Sequence, residues 1–287
     1  MPEKSPVQEP VGTPVFEEAS LKSKELINIV PLHVTKPHLD LTTLTKEDAD
    51  LFKVSKEASS APPPKLVYNG GRLIQKVEVY TIFWGAHWAH THSYVNLATK
   101  INSFFSAVLV SPLIDQLTEY NTPQYKINHG TLRGTKTITA GAPAPGSSIT
   151  DSKIQHALNG WIAAHTVPPP DANSLYFIYT DVNVKVVMGG SASCVNFCGY
   201  HSNVGNTFYA VMPFPGCPGC LGGLNAFDAL TGTSSHELCE AITDAIPGTG
   251  WYDNFNGEIG DICAWQFKKV AGYNVQLEWS NKANKCV

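Results

Sequence analysis

The run His236-Glu237-Leu238-Cys239-Glu240 combines residue types that bind metal ions and use them. On a helix, His236 and Glu240 are four residues apart and lie on one face, where both can ligate a single cation. Glu237 is then placed to take a proton from a water molecule at the metal. The spacing is that of the His-Glu-x-x-His zinc hydrolases, with a carboxylate as the second ligand. The run predicts a zinc site in which His236 and Glu240 are ligands and Glu237 is the catalytic base.

A third ligand must come from outside this helix. Asp244 continues the spacing, but the eight residues from His236 span about 12 Å of helix, too far for one cation. Glu258 and Asp261 follow the helix closely and are the candidates, in that order. Both acids would also suit a turn, or a calcium site that only stabilises the fold. His201 is a further candidate, as a ligand or as a catalytic hydrogen-bond donor.

Other chemistry-bearing patterns are weaker. The histidines of the run 87–92 (HWAHTH) have no cysteines or acids beside them, which is more typical of surface residues than of a ligand set. The sequence has neither a Gly-x-Ser-x-Gly elbow nor a phosphate-binding loop, which argues against serine hydrolases and nucleotidases. One histidine with two carboxylates fits zinc, and would also accept manganese or iron.

A helix over roughly 226–244 is needed to position the motif. Its apolar positions share one face, and Pro247 with Gly248 ends it, while Gly232 is a point of possible interruption. Apolar stripes predict two more helices, one around Leu97 to Val108 and one from Ile154 to Ile162 with Thr150 or Asp151 as N-cap.

Runs of β-branched and aromatic residues predict the strands. These are Lys76 to Trp84, Tyr125 to Leu132, Thr135 to Ala140, Ser174 to Thr180 and Thr207 to Met212. Alternation of such strands with helices predicts an α/β domain, a mixed sheet with packed helices that includes a zincin-like active-site helix.

The composition and charge of the chain limit the classes of partner and function to be expected. Of 287 residues, 43% are hydrophobic and 15% charged, enough for a sizeable core. A net charge of -4 gives no electrostatic reason to expect nucleic acid or an anionic membrane as partner. No apolar run approaches the roughly 20 residues of a transmembrane helix. No signal peptide is visible in the chain.

All seven cysteines fall at or after Cys194. The close pairs Cys194/Cys198 and Cys217/Cys220 could form a four-thiolate zinc site, but their loop-rich surroundings favour disulfides in an oxidising compartment. Because seven is odd, one thiol is left over, and Cys239 within the predicted helix is the best candidate for it.

The N-terminal segment, residues 1–64, differs from the rest. It is rich in Glu, Lys, Ser and Pro and ends in a triple proline, Pro62-Pro63-Pro64, which is typical of a linker. It is expected to be a tail, or a pro-segment that covers an active site until it is cleaved. Residues 65–287 are expected to form a single catalytic domain.

From Leu66 onward the chain resembles the plant Exordium, or phosphate-induced, protein family and its microbial relatives. The residues that carry the resemblance are Tyr68-Asn69-Gly70-Gly71, the strand Val77 to Trp84, Ile149 to Ile154, Cys198-Gly199-Tyr200-His201, Pro213-Phe214 with Cys217 and Cys220, and Cys286. Plant members lack the His-Glu pair and are secreted, cell-wall-associated growth regulators. Microbial relatives that carry His-Glu-x-x-Glu, Trp-Tyr-Asp and Glu-Ile-Gly-Asp look like zincin-type peptidases. This chain has Trp251-Tyr252-Asp253 and Glu258-Ile259-Gly260-Asp261, so it resembles the second group.

Two functions are therefore expected. The first is a secreted zinc endopeptidase, extracellular, acting on a peptide or protein bound along an exposed edge of the strand Thr207 to Met212. The alternative is a non-catalytic extracellular binding or signalling protein of Exordium type, whose aromatics (Trp84, Trp88, Trp251, Tyr252) would stack on sugars.

Overall fold

The computed structural model describes residues 29–33 and 62–287. Its strands are β1 (Ile29–Pro31), β2 (Val67–Tyr68), β3 (Glu78–Trp84), β4 (Thr131–Ile138), β5 (Ser148–Thr150), β6 (Ser174–Thr180), β7 (Lys185–Met188), β8 (Ser191–Ala192), β9 (Phe197–Val204), β10 (Thr207–Met212), β11 (Trp251–Tyr252), β12 (Phe267–Val270), β13 (Tyr273–Gln276), β14 (Trp279–Ser280) and β15 (Lys285–Cys286). Its helices are α1 (Ala86–His90), α2 (His92–Val108), α3 (Pro112–Asp115), α4 (Asp151–Ala163), α5 (Pro218–Leu221) and α6 (Ala226–Thr243). Two 3-10 turns cover Gln116–Tyr120 and Asp261–Cys263.

A six-stranded mixed sheet in the order β1-β9-β10-β6-β3-β4 lies at the centre of the domain. The strands β10, β6, β3 and β4 are parallel to one another, whereas β9 is antiparallel to β10 and β1 is antiparallel to β9. Helices α2 and α6 pack on one face of the sheet and α4 packs on the other. The predicted α/β class, a mixed sheet with packed helices, is confirmed.

Strand β6 shows why the central strands are apolar throughout. Leu175, Phe177 and Tyr179 point to the face covered by α2 and α6, while Tyr176 and Ile178 point to the face covered by α4. A strand buried on both faces reads as a continuous apolar run rather than an alternating one. All seven residues of β6 are buried.

The prediction of two separate strands, Tyr125 to Leu132 and Thr135 to Ala140, is wrong. The structure has one strand there, β4, which begins at Thr131 and runs through Gly134. The segment before it is bonded locally: Tyr125 N donates to Thr122 Oγ1 and Ile127 N donates to Asn121 Oδ1. These side-chain acceptors compete with a strand partner for the backbone.

The predicted exposed edge at Thr207 to Met212 is also wrong. The strand exists with those bounds as β10, but β10 lies between β9 and β6 and has no free edge. On the antiparallel side β10 pairs with β9, and the other side of β9 pairs with β1. An extended peptide therefore cannot add to β10.

Helix α6 runs unbroken from Ala226 to Thr243, without the possible interruption at Gly232. It is buried all round from Ala229 onward because it lies between the sheet and the hairpin β12–β13. Gly232 is required by packing: a Cβ there would lie 2.7 Å from the Phe267 ring. Asn225 caps the helix by accepting from Asp228 N.

Three disulfides join Cys194 to Cys217, Cys198 to Cys220 and Cys263 to Cys286, and Cys239 is free and buried. The preference for disulfides over a four-thiolate site, and the choice of Cys239 as the leftover thiol, are confirmed. Three disulfides indicate an oxidising environment.

Of the N-terminal segment, the structure describes only residues 29–33 and 62–64, and the rest of the predicted tail lies outside the described residues. The strand β1 was not predicted. Within the described ranges no single helix is long and apolar enough to cross a membrane, although α2 and the bent continuation Pro112–Tyr120 pass that test as a pair.

Candidate metal centre

Helix α6 presents His236 and Glu240 side by side, as their spacing predicts. His236 Nε2 lies 2.9 Å from Glu240 Oε1, and both residues are fully buried. The helix is fixed on the sheet by a hydrogen bond between Ser234 and Tyr179, and on the hairpin by Ser235 Oγ, which accepts from Gln276 N. The two candidate ligands therefore come from a rigid element.

Asp261 completes a group of three with these two residues. Its Oδ1 lies 3.7 Å from His236 Nε2, and its backbone N donates to Glu240 Oε1 at 3.1 Å. Ligand atoms of His236, Glu240 and Asp261 all lie within 4.8 Å of one another. Because the carboxylate Oδ2 of Asp261 accepts from Glu258 N, the turn itself holds Asp261 toward the helix.

A second group shares Glu240. His201 on β9 lies with Nδ1 3.1 Å from Glu237 Oε2 and 3.5 Å from Glu240 Oε2, while Nε2 lies 3.5 Å from Glu258 Oε1. His201, Glu240 and Glu258 also meet the distance criterion for a cation site. Here, however, His201 Nε2 donates to the carbonyl oxygen of Asp244 at 3.1 Å, so this nitrogen already has a partner.

The two groups differ in how many of their candidate ligand atoms already have hydrogen-bond partners. In the first group, His236 Nε2 and Asp261 Oδ1 are buried and make no hydrogen bond, although His236 Nε2 lies within ion-pair distance of Glu240 Oε1 and of Asp261 Oδ1. Buried polar atoms are nearly always bonded, so two ligand atoms that face each other without a hydrogen bond fit a cation-binding site. The second group contains orphaned carboxylate oxygens of Glu240 and Glu258, but its imidazole is bonded at both nitrogens. The first group is the better metal site.

The electrostatics of the cluster are dominated by burial of like charges. Burial and the negative charge of Glu240 raise the pKa of Glu258 and of Asp261 well above their ordinary values. Burial also raises the pKa of Glu240, but His236 and His201 overcome this and hold it at about 2. Four carboxyl groups crowd two imidazoles, and a divalent cation would relieve that repulsion.

His201 is held as a cation next to Glu237. Burial lowers the pKa of His201, but hydrogen bonds to Glu237 and Glu240 outweigh burial and raise it to about 10. Burial also raises the pKa of Glu237. Glu237 keeps one oxygen, Oε1, without a hydrogen bond, while Oε2 is fixed by His201. His201 therefore positions Glu237.

Asp244 belongs to neither group of candidate ligands, as its distance along the helix predicts, although its carbonyl oxygen accepts from His201. Its carboxylate accepts from the backbone of the next loop, from Gly248 N at 2.6 Å, Thr249 N at 3.0 Å and Gly250 N at 2.5 Å. Its carboxylate therefore holds the loop that follows α6 and is not a candidate metal ligand.

The histidines of the run 87–92 do not gather into a ligand set. His87 Nδ1 lies 3.0 Å from Asp181 Oδ1, and His92 Nε2 contacts Asn96 Nδ2. Neither pair belongs to a group of three metal-binding side chains among the described residues.

Two buried residues of the C-terminal part were missed by the sequence. Gln276 Nε2 donates to His236 Nδ1 at 2.8 Å and to the carbonyl of Gly260 at 2.9 Å, so it fixes the imidazole and the turn together. Glu278 is fully buried beside Cys239, with neither carboxylate oxygen hydrogen-bonded, and burial raises its pKa well above normal. Both residues lie in a segment in which polar and apolar residues alternate, as they do in many strands, so the sequence does not mark them as site residues.

Neither a protein-family model nor a curated protein matches this sequence. The geometry of the buried cluster is therefore the basis for any functional conclusion.

Proposed function

We propose that the protein is a secreted zinc-dependent endopeptidase, with His236, Glu240 and Asp261 as metal ligands and Glu237 as general base. The observation that carries this proposal is the orphaned pair His236 Nε2 and Asp261 Oδ1, 3.7 Å apart and beside Glu240. The resemblance to zincin-like microbial relatives of the Exordium family supports the same reading.

The donor set suits a divalent transition metal. One imidazole and two carboxylates are borderline and hard ligands of the kind found in catalytic zinc sites. Gln276 Nε2 donates to Nδ1 of His236, so a neutral ring carries its proton on Nε2. Cation binding at Nε2 needs the other tautomer, in which Nδ1 carries the proton; Gln276 would accept that proton only with its amide turned over, which exchanges its bonds to Trp265 N and to the carbonyl of Gly260. Metal uptake is thus coupled to a change of the His236 tautomer.

Zinc bound there would polarise a substrate carbonyl as a Lewis acid and make water acidic at neutral pH. The protein supplies the rest. Glu237 Oε1 is the free oxygen of the base and takes the proton from the attacking water, while the bond from His201 to Oε2 fixes its direction. The cationic His201 has both ring nitrogens bonded, to Glu237 and to the carbonyl oxygen of Asp244, so its part is to hold Glu237 in place.

A second candidate function is favoured by the enclosure of this cluster, in which no side chain of the first group exceeds 4% exposure. A cation that only stabilises a non-catalytic, Exordium-like extracellular binding protein needs no access to solvent. The sugar-stacking part of that alternative has less support, because Trp84, Trp88 and Tyr252 are all buried in the core.

The deciding experiment measures metal content and turnover in matched variants. Elemental mass spectrometry should find about one zinc per chain, lost in His236→Ala, since the imidazole supplies the nitrogen ligand. The Glu237→Gln variant should keep zinc and lose cleavage of a peptide library by about 100-fold or more, because it removes the base alone. Zinc retained with unchanged cleavage would refute Glu237 as base, and no zinc after reconstitution would refute the metallopeptidase.

A further inference from the structure

Strand β1 lies on the one sheet edge that leads to the metal cluster. It pairs antiparallel with β9, with Ile29 opposite Tyr200 and Val30 opposite Gly199. The next residue of β9 is His201, which contacts Glu237 and Glu240. β1 also packs against α6 and against the Asp261–Cys263 turn, the two elements that carry the candidate ligands of the first group.

The contacts of this strand are those of a bound extended peptide. Hydrogen bonds to the main chain of residues 29–33 hold the segment. The Trp265 side chain donates through Nε1 to the carbonyl of Pro31 at 2.8 Å, and His33 N donates to the carbonyl of Gly219 at 2.8 Å. The side chain of Val30 is 2% exposed and packs beside the Cys198–Cys220 disulfide. Backbone pairing with one buried side chain is how peptides bind to sheet edges.

Pro31 explains where the pairing stops. The register shifts between Val30 and Pro31, and proline has no N–H to donate to β9. The chain then leaves the sheet edge, and the His33 ring packs edge-on against Trp265 with centroids 5.1 Å apart. β1 is therefore a short edge strand of the six-stranded sheet that ends at Pro31.

We propose that residues 29–33 act as an intramolecular inhibitor that occupies the peptide-binding edge of β9, and that substrates of the enzyme are extended peptides with an apolar side chain in the place of Val30. This inference rests on the proposed peptidase function. It accounts for the enclosure of the cluster, since β1 lies against both ligand-bearing elements. It also replaces the expected edge of β10, which has no free side, with that of β9.

The test compares full-length wild type with Val30→Glu, which places a charge in the apolar contact. The matched control is Val67→Glu, because Val67 is also in a strand but is 52% exposed and away from the edge. Three quantities are measured on each protein: zinc content, the rate of zinc transfer to a chromogenic chelator, and cleavage of fluorescent casein. Circular dichroism checks folding.

All three proteins should hold about one zinc. Val30→Glu should transfer zinc and cleave casein about tenfold faster or more, since loss of a buried Val contact favours the open form. Val67→Glu should match wild type. A synthetic peptide of residues 27–35, added to Val30→Glu, should slow both rates, whereas the same peptide with Glu in place of Val30 should not.

The outcomes separate this inference from the function beneath it. Zinc present with wild-type rates in Val30→Glu overturns the inhibitory strand and leaves the peptidase to stand on its own activity. Faster zinc transfer without casein cleavage in any variant supports β1 as a cover and overturns the peptidase. No zinc in any protein overturns both. If Val30→Glu fails to fold, Trp265→Phe removes the indole donor to Pro31, keeps an aromatic ring beside His33 and Phe267, and should raise both rates a few-fold.

Discussion

Gly260 shows how little room the metal cluster has. A Cβ at this position would lie 2.8 Å from His236 Cγ and 3.0 Å from Glu240 Oε1, within a turn whose φ of −83° suits any residue. The requirement for glycine is thus steric and comes from the two candidate ligands, not from the backbone.

The Gly260→Ala variant should therefore lose zinc while the fold is retained, because the methyl group displaces His236 and Glu240. Gly160→Ala is the control: Gly160 is within α4, has nothing within 4 Å of its Cβ position, and the change should stabilise the protein by about 0.5–1 kcal/mol. Elemental analysis and thermal melting measure both. Full zinc content in Gly260→Ala would place the cation elsewhere.

At the scale of single residues, the sequence was informative where spacing alone sets geometry. His236 and Glu240 lie together because four residues make about one helical turn. The sequence favours Glu258 over Asp261 as the third ligand, whereas the structure groups Asp261 with His236 and Glu240, and Glu258 with His201 and Glu240. The turn places Asp261 beside His236 and Glu258 beside His201, through the bond from Glu258 N to Asp261 Oδ2. That bond depends on the folded turn.

Asp244 continues the four-residue spacing of His236 and Glu240 in the sequence, but its side chain stabilises the end of helix α6. The carboxylate of Asp244 accepts three backbone N–H groups of the 248–250 loop. Its removal would leave those buried donors without an acceptor, which costs more than a surface hydrogen bond.

Asp244→Ala should therefore lower the free energy of unfolding by about 1–3 kcal/mol and leave zinc content unchanged. Urea denaturation and elemental analysis measure the two effects. Loss of zinc from a protein that still folds would make Asp244 a ligand and would overturn its assignment as a helix-end cap.

At the scale of elements, long periodic or continuous apolar segments were predictable, and short ones were not. The strands β6 and β10 have the predicted bounds because burial on both faces leaves a long apolar run. Strand β1 has three residues and ends in Pro31, and its partner Tyr200 is far away in the chain. No local pattern encodes a pairing of that range.

At the scale of the whole molecule, two of the disulfides allow the effect of a bridge on stability to be separated from its effect on metal binding. Cys194–Cys217 and Cys263–Cys286 both close loops with a sequence separation of 23. Loop closure predicts that each contributes about 3 kcal/mol to stability. Only the second is near the cluster, because Cys263 belongs to the same 3-10 turn as Asp261.

Replacing both cysteines of either bridge with alanine should thus lower stability by a similar amount, about 3 kcal/mol. Only the Cys263/Cys286 variant should also bind zinc more weakly, since Asp261 loses its anchored turn. Denaturation curves and competitive zinc titration measure the two properties. Equal zinc affinity in both variants would show that the turn holds Asp261 without help from the bridge.

No cysteine precedes Cys194, so no disulfide ties strand β1 to the domain, and only residues 34–61 connect it. While that connection is intact, the contact between the strand and its edge is intramolecular, so it does not depend on the protein concentration. A single cut within 34–61 would turn the same contact into a two-molecule equilibrium. Dilution, rather than reduction or unfolding, would then decide in what fraction of the molecules the edge of β9 is free.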